Sequence, residues 1–495
     1  MATTHRVAAG MVIDGFTLEE RLHRGGMATL WRVNRRDLPA PALMKIPALG
    51  GDDDATAIVG FEVEQMIMPR LVGPHVPRFI AAGGFDEQPY IVMELIAGDS
   101  LRIRFEQSPL PAAEVAAIGA RVAAALHDLH QQHVIHLDIK PSNILFRPTG
   151  EAVLIDYGLA RHDHLPDLLA EEFRLPLGTG PYIAPEQVLG DRTDPRSDLF
   201  ALGVLLYHLA TGQRPFGAPT TVRGLKKRLY QAPIPPRRHK PDCPAWLEEI
   251  ILHCLEVEPE RRFGSAAQVA FELTHPEGVV VTDRAQRAAG DNLRSRIARW
   301  FRSTGHQPAA RGAMRQLSRA PIVLAAVDLS QEWEALAEAL RTAVRRVLTA
   351  DPGARLACVS VLKTSRIAID NTTDAEGRHL HVKRLVELQH WARPLDLPGE
   401  RMTYHVLAAP DIADAIVDYV KTNGVDHVVI GSRGLPTLQR VLGSVSAKVV
   451  AMAPCTVTVV KTPQVESEAS GGAAGDGARS ADDPAPTGAV QDTGT

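Results

Sequence analysis

Two short runs hold the side chains best suited to chemistry: His136-Leu137-Asp138-Ile139-Lys140-Pro141-Ser142-Asn143 and Asp156-Tyr157-Gly158. Moving a phosphoryl group needs metal ions between the phosphates, a carboxylate near the attacking hydroxyl, and positive charge holding the phosphates in line. Asp138 has the type for a base, Asn143 and Asp156 offer hard oxygens to Mg2+, and Lys140 offers charge to the group in transit. Singly, each has an ordinary reading: Asp138 as a turn or cap residue, Lys45 as a solvated strand lysine, Glu64 as a residue on a helix's polar face.

The elements that must position these runs are legible as periodicity. Val115, Ile118, Val122, Leu126 and Leu129 recur at helical spacing and predict a helix over 112–130, ahead of the first run. A short apolar strand, 152–155, leads into Asp156. Residues 16–275 place strand-like runs early and helical runs late, which predicts an α+β domain. Residues 321–461 alternate instead: strands at 322–327, 356–362, 403–407, 427–430 and 456–460, with helices at 332–348, 377–393, 412–422 and 443–451. Strands separated by helices imply parallel crossovers, hence an α/β doubly wound, Rossmann-like sheet.

The chain has 495 residues and a net charge of −4, from 54 Lys+Arg against 58 Asp+Glu, so overall charge excludes a nucleic-acid-coating role. Charge is nevertheless polarised. Residues 276–320 read as a basic linker, with nine arginines against Asp291 between 284 and 319. Residues 462–495 have no aromatics, six acids and one arginine, and are expected to be a disordered acidic tail. Within the linker, Leu293, Ile297, Trp300 and Phe301 recur at helical spacing; packing on a domain is the favoured expectation, with weak contact to a membrane surface as the second and a salt-screened contact with the tail as the third. The four cysteines (Cys243, Cys254, Cys358, Cys455) have no CxxC spacing and fit a reducing compartment. The apolar runs at 7–13 and 199–209 suit neither a signal peptide nor a membrane span. A cytoplasmic location is expected.

In combination, the two runs resemble the catalytic loop and D-F-G motif of eukaryotic-type protein kinases, specifically the bacterial Hanks-type enzymes, and Lys140 resembles the serine/threonine subclass. Further matches follow in order. Lys45 in Ala42-Leu43-Met44-Lys45 resembles the strand lysine on the α- and β-phosphates, and Glu64 its helix partner. Residues 89–95 resemble the run into the hinge, with Met93 as gatekeeper and Glu94 and Leu95 where adenine meets backbone. Gly178-Thr179 and Ala184-Pro185-Glu186 resemble the end of the activation segment, Asp198 the carboxylate that braces the catalytic loop, and Arg262 the buried partner of Glu186. The resemblance implies a bilobal fold, N-lobe about 16–95 and C-lobe about 96–275. It also implies ATP with Mg2+, Mn2+ being possible, protein substrates with Ser/Thr acceptors, and a catalytic set of Asp138, Lys140, Lys45, Glu64 and Thr179 with Asn143 and Asp156 on metal.

Two departures bear on activity. The nucleotide-cradling loop, 22–30, keeps only Gly25 of three spaced glycines, with His23 and Ala28 at the outer positions; Gly25, Gly26 and Leu30 are its nucleotide-contact candidates. Leu137 stands where the family usually has an arginine that grips an activation-segment phosphate. Between Gly158 and Gly178 there is no Ser, Thr or Tyr, so the segment is expected to be ordered, if at all, without phosphorylation. Its acids Asp163, Asp167, Glu171 and Glu172 supply fixed negative charge, the favoured expectation being that they are simply solvated loop residues.

Asp328 ends the first strand of 321–461, while Gly431-Ser432-Arg433-Gly434 and Gly443-Ser444 follow a later strand and precede a helix, a phosphate-sized nest. This pattern resembles the universal stress protein family, which has ATP-binding and non-binding members. The glycine motif resembles the binding kind, with a spacer at 435–442 one residue short of the fuller form. Asp328, Gly431, Gly434, Gly443 and Ser444 are the nucleotide candidates there. His379, His381, His390, His405 and His427 are scattered as surface or ordinary core residues would be. The leading expectation is a serine/threonine protein kinase joined to a nucleotide-sensing or dimerising stress-protein domain. The alternatives are a catalytically weak nucleotide-binding scaffold and a dimerising interaction protein.

Overall fold

The computed structural model describes residues 7–48, 54–286, 320–329, 334–364, 379–432 and 443–461. Residues 287–319 of the expected linker, the expected acidic tail at 462–495, Arg433, Gly434 and the 435–442 spacer lie outside the described residues.

Six strands open the chain: β1 (Val12–Ile13), β2 (Phe16–Arg24), β3 (Ala28–Asn34), β4 (Ala42–Pro47), β5 (Phe79–Gly83) and β6 (Tyr90–Glu94). They form an antiparallel sheet of order β1-β2-β3-β4-β6-β5. The two-residue alternation of a strand sorts its side chains. Phe16, Leu18, Trp31, Val33, Met44, Ile46, Tyr90 and Val92 fill a core on one face. Ile91 and Met93 turn to the other, joining Ile58, Phe61 and Ile67 of helix α1 (Asp54–Ile67). Lys45, between Met44 and Ile46, therefore points toward α1 rather than into the first core.

Below the sheet, helix α2 (Ala112–Gln131) buries the predicted stripe against helix α4 (Arg196–Thr211), which is buried along nearly its whole length, and α6 (Ala266–Thr274) and α5 (Ala245–Cys254) complete the layer. A helix that is apolar all round belongs in a protein interior, which is where the 199–209 run resides. Among the described residues no helix is long and apolar enough to cross a membrane. Short strands shape the cleft between the lobes: β7 (Asp99–Ser100), β8 (Val134–Ile135), β9 (Ile144–Phe146), β10 (Ala152–Leu154) and β11 (Arg161–His162). The strand expected over 152–155 ends at Leu154, because Ile155 already turns its N–H to the Asn143 carbonyl. Helix α3 (Leu168–Glu172) follows in the 158–178 segment.

Residues 321–461 form a wholly parallel sheet: β12 (Ile322–Ala326), β13 (Arg355–Lys363), β14 (Met402–Ala409), β15 (His427–Ser432) and β16 (Thr456–Lys461), in the order β14-β13-β12-β15-β16. Helices α7 (Glu334–Ala350) and α8 (Leu380–Ala392) cover one face with Leu340, Val344, Leu388 and Trp391. Helices α9 (Ile412–Asn423) and α10 (Ser444–Met452) cover the other with Ile416, Val417, Val420 and Val449. The doubly wound expectation holds, with α8 described from Leu380, residues 377 and 378 lying outside the described residues.

Candidate active site

The catalytic candidates converge because the loop after β8 and the loop after β10 both empty into the cleft. Asp138 is the hub. Lys140 Nζ donates to its Oδ2 at 2.5 Å, and the Thr179 N–H and Oγ–H donate to its Oδ1 at 3.1 and 2.7 Å. Asn143 Nδ2 donates to the Asp138 carbonyl at 3.0 Å and to Oδ2 at 3.2 Å. The loop itself hangs on Asp198, which is wholly buried on α4: the His136 and Leu137 N–H groups donate to its two oxygens at 2.9 and 2.8 Å. His130, the penultimate residue of α2, lies 2.9 Å from the same carboxylate. Leu137 adopts a left-handed φ of 62° and is 4% exposed, so an apolar side chain fills the place where an arginine was missed.

Across the cleft, Lys45 Nζ sits 2.6 Å from Glu64 Oε2 and 2.7 Å from Asp156 Oδ1. Burial works to discharge Lys45, yet the charges of Asp156 and Glu64 outweigh it and hold the ammonium above its ordinary range. Lys45 charge, against burial, brings Asp156 down to about 2, so this carboxylate is ionised at any physiological pH. Burial pushes Glu64 up, opposed by Lys45. α1 can deliver Glu64 because two glycines let backbones touch: a Cβ on Gly60 would lie 3.0 Å from the Gly158 carbonyl oxygen. Gly25 closes the β2–β3 turn with its N–H on the Ala28 carbonyl, and a Cβ there would meet the His23 ring at 3.3 Å. Gly26 faces open space, and Leu30 lies opposite Lys45 in the β3–β4 register. Met93 is buried at the end of β6, and Glu94 turns its side chain to Arg147 Nη1 at 2.5 Å, with Leu95 next in the chain.

Below, Arg262 Nη1 and Nη2 donate to Glu186 Oε1 and Oε2 at 2.7 and 2.8 Å, both groups buried. Two contributors have no motif to announce them, His130 and Gln187, whose Nε2 donates to the Leu137 carbonyl at 3.0 Å, while Ser197, beside Asp198 in its motif, donates its Oγ to Glu186 at 2.6 Å.

The expectation of solvated acids needs correction for three of four. Asp167 caps α3 by accepting from the Ala170 N–H and pairs with Arg192 Nε at 3.0 Å. Glu171 and Glu172 are buried against residues of the 321–461 sheet, because α3 packs on β14 and α9. Asp163 alone keeps substantial exposure, while pairing with Arg161. His405 is likewise no ordinary core histidine, being wholly buried beside Glu171 and Glu172.

In the second sheet, Asp328 is exposed just past β12, and Gly431 lies at the end of the neighbouring β15. Gly443 precedes α10 and donates its N–H to Ser432 Oγ at 3.1 Å, with Ser444 as the first helical residue. These positions border the carboxyl ends of β12 and β15, where the strand order reverses, the usual place for a ligand crevice in such sheets. Gly434 lies outside the described residues.

Two family models match this chain. Residues 16–274 match the protein kinase domain model, and residues 321–461 match that of the universal stress protein family. The serine/threonine-protein kinase PknL of Mycobacterium bovis is 30% identical over 330 residues, covering 64% of this chain and 82% of that protein. A probable serine/threonine-protein kinase of Clostridium perfringens is 30% identical over 259 residues, covering 52% of this chain and 38% of that protein. The chain thus spans less than half the length of the first curated relatives it matches. The solved kinase domain of Mycobacterium tuberculosis PknI is 26% identical, covers 54% of this chain and 99% of that one, and has a TM-score of 0.43. With its cleft residues in that arrangement and more than half its length matched, this chain belongs to the protein kinase family and carries a universal stress protein domain at 321–461.

Proposed function

We propose that the chain transfers the γ-phosphoryl group of ATP to serine or threonine hydroxyls of protein substrates. One observation carries the reading: Asp138 gathers Lys140, Thr179 and Asn143 while Lys45 is held between Glu64 and Asp156 across the same cleft. A scaffold has no chemical need of that base. The acceptor hydroxyl would give its proton to Asp138 as its oxygen bonds the γ-phosphorus. The bond to the bridging oxygen breaks, and ADP leaves with that electron pair. Lys140 balances charge on the phosphoryl group in transit, and Lys45 fixes the α- and β-phosphates. Asp156 and Asn143 would hold Mg2+, or Mn2+, and their chemistry fits: Asp156 is ionised, gives Lys45 one oxygen, and keeps 43% of its side chain open to solvent. A bound ion there neutralises phosphate charge.

Transfer of labelled phosphate from ATP to a generic basic protein tests this. Wild type labels serine and threonine, and Lys45→Met and Asp156→Ala each lose about 100-fold or more; equal labelling in all three overturns the assignment.

The proposed organisation is a kinase domain at 16–275, a linker at 276–320, a stress-protein domain at 321–461 and a tail at 462–495, in a cytoplasmic protein. Asp328, Gly431, Gly434, Gly443 and Ser444 would form a second nucleotide site, and the stress-protein domain would also support a homodimer. Two ATP equivalents per chain by calorimetry, falling to one in Asp328→Ala, support the second site; one in both refutes it.

A further inference from the structure

The 158–178 segment offers no hydroxyl to phosphorylate, and Leu137 offers no guanidinium to grip a phosphate, yet the segment is ordered around α3. Arg192 of the kinase domain holds its N-terminal half through Asp167 and the Leu159 carbonyl, and the second domain holds its C-terminal half. Arg355 on β13 forms a two-pronged pair with Glu171, Nη2 to Oε1 and Nη1 to Oε2. Tyr419 OH donates to Glu171 Oε2 at 3.0 Å, His405 Nε2 lies 3.1 Å from the same oxygen, and Asn423 Nδ2 donates to the Glu171 carbonyl at 3.2 Å. Glu172 faces His405 Nδ1 at 3.7 Å and His381 Nε2 at 3.9 Å. Leu385 and Val406 of the second domain extend the apolar core that contains Phe61 and Leu169. A carboxylate buried this deeply is tolerated only when its lone pairs are met, and the Glu171 carboxylate finds Arg355, Tyr419 and His405 across the domain boundary.

The cluster reaches the cleft by two routes. α3 packs against α1, the helix that carries Glu64. The segment also continues from α3 to Thr179, which donates to Asp138. We propose that Arg355, seconded by His405 and Tyr419, is a positioning residue for phosphotransfer: by gripping Glu171 it holds the activation segment and α1 in the assembled arrangement, so a carboxylate–guanidinium pair between domains replaces a phosphate–arginine pair within one. The inference rests on the phosphotransfer reading.

The test uses the full chain. Arg355→Ala lowers kcat about tenfold or more and leaves KM for MgATP within about twofold. It also raises deuterium uptake across 159–178, and Arg355→Lys, which keeps the charge, recovers part of the rate. Tyr419→Phe, which removes one hydroxyl and no charge, shifts both readouts the same way by less and serves if Arg355→Ala does not fold. A tether that merely joined two domains would leave kcat unmoved. Unchanged or increased kcat, or unchanged uptake across 159–178, overturns the proposal. A wild type that transfers no phosphate refutes the phosphotransfer reading instead, and the uptake comparison still decides whether the clasp orders the segment.

Discussion

Asp138 accepts from four donor groups on three residues, and none of those bonds requires its proton, so the carboxylate is held as an acceptor aimed at the cleft. Asp138→Asn keeps the shape and removes the basicity; a 100-fold or greater loss of rate is expected from removing a positioned base, roughly the span seen for general-base groups, with ATP affinity by calorimetry retained. Leu137 makes the converse case. Its apolar side chain is buried, so Leu137→Arg introduces a guanidinium with no phosphate to meet. The expected outcome is a loss of about 3 kcal/mol in denaturant melts, the order of an uncompensated buried charge, with no gain in phosphotransfer. Restoring the family's residue is thus expected to harm this chain.

At the scale of elements, α3 and α1 are held by groups whose protonation sets the strength of their docking. Burial tends to discharge His405, but Glu171 and Glu172 outweigh it and raise the imidazole from 6.5 to about 9. Between those values the docked form retains a proton that a separated form releases, so this contribution is complete below 6.5 and is lost as pH rises through about 9. Glu62, pushed up to about 8 from 4.5 by burial and by Glu172, acts in the same direction, and burial also raises Glu172. Glu171 acts oppositely: burial is overcome by His405 and Arg355, its value falls from 4.5 to about 2, and its contribution is lost only as pH drops through that range. Deuterium uptake in 168–174, corrected for intrinsic exchange, is therefore expected to rise between pH of about 7 and about 9; a flat profile would count against titration in the clasp. Sequence reading located the cleft because its groups sit in contiguous runs with fixed internal spacing. It missed the clasp because Glu171 and Arg355 are 184 residues apart and each is a single bland charge. Only the missing hydroxyls and Leu137 hinted that something else had to hold the segment. Periodicity likewise placed the strands of the second sheet, but it carries no information on which edge would meet the first domain.

Across the whole molecule, the two domains share one buried cluster and a core that crosses between them. They are expected to unfold in one calorimetric transition, and Arg355→Ala is expected to split it or move its first limb to lower temperature. The rim behaves differently. Asp86 meets His390 at 3.1 Å and Arg393 at 3.4 Å with all three side chains well exposed, so Asp86→Ala is expected to shift the midpoint little, in keeping with the roughly 0–1 kcal/mol of such pairs. The same docking decides how the second sheet can grow. A strand edge carries unpaired N–H and C=O groups, and a sheet with two free edges is able to add copies without limit. Here the kinase domain's α3 packs against β14, one end of the strand order, while β16 is the other end. Strand-to-strand joining through β16 would pair like with like and, with α3 against β14 in each chain, would be expected to terminate at two chains: the contact proposed to steady the activation segment would also act as a chain terminator against fibres.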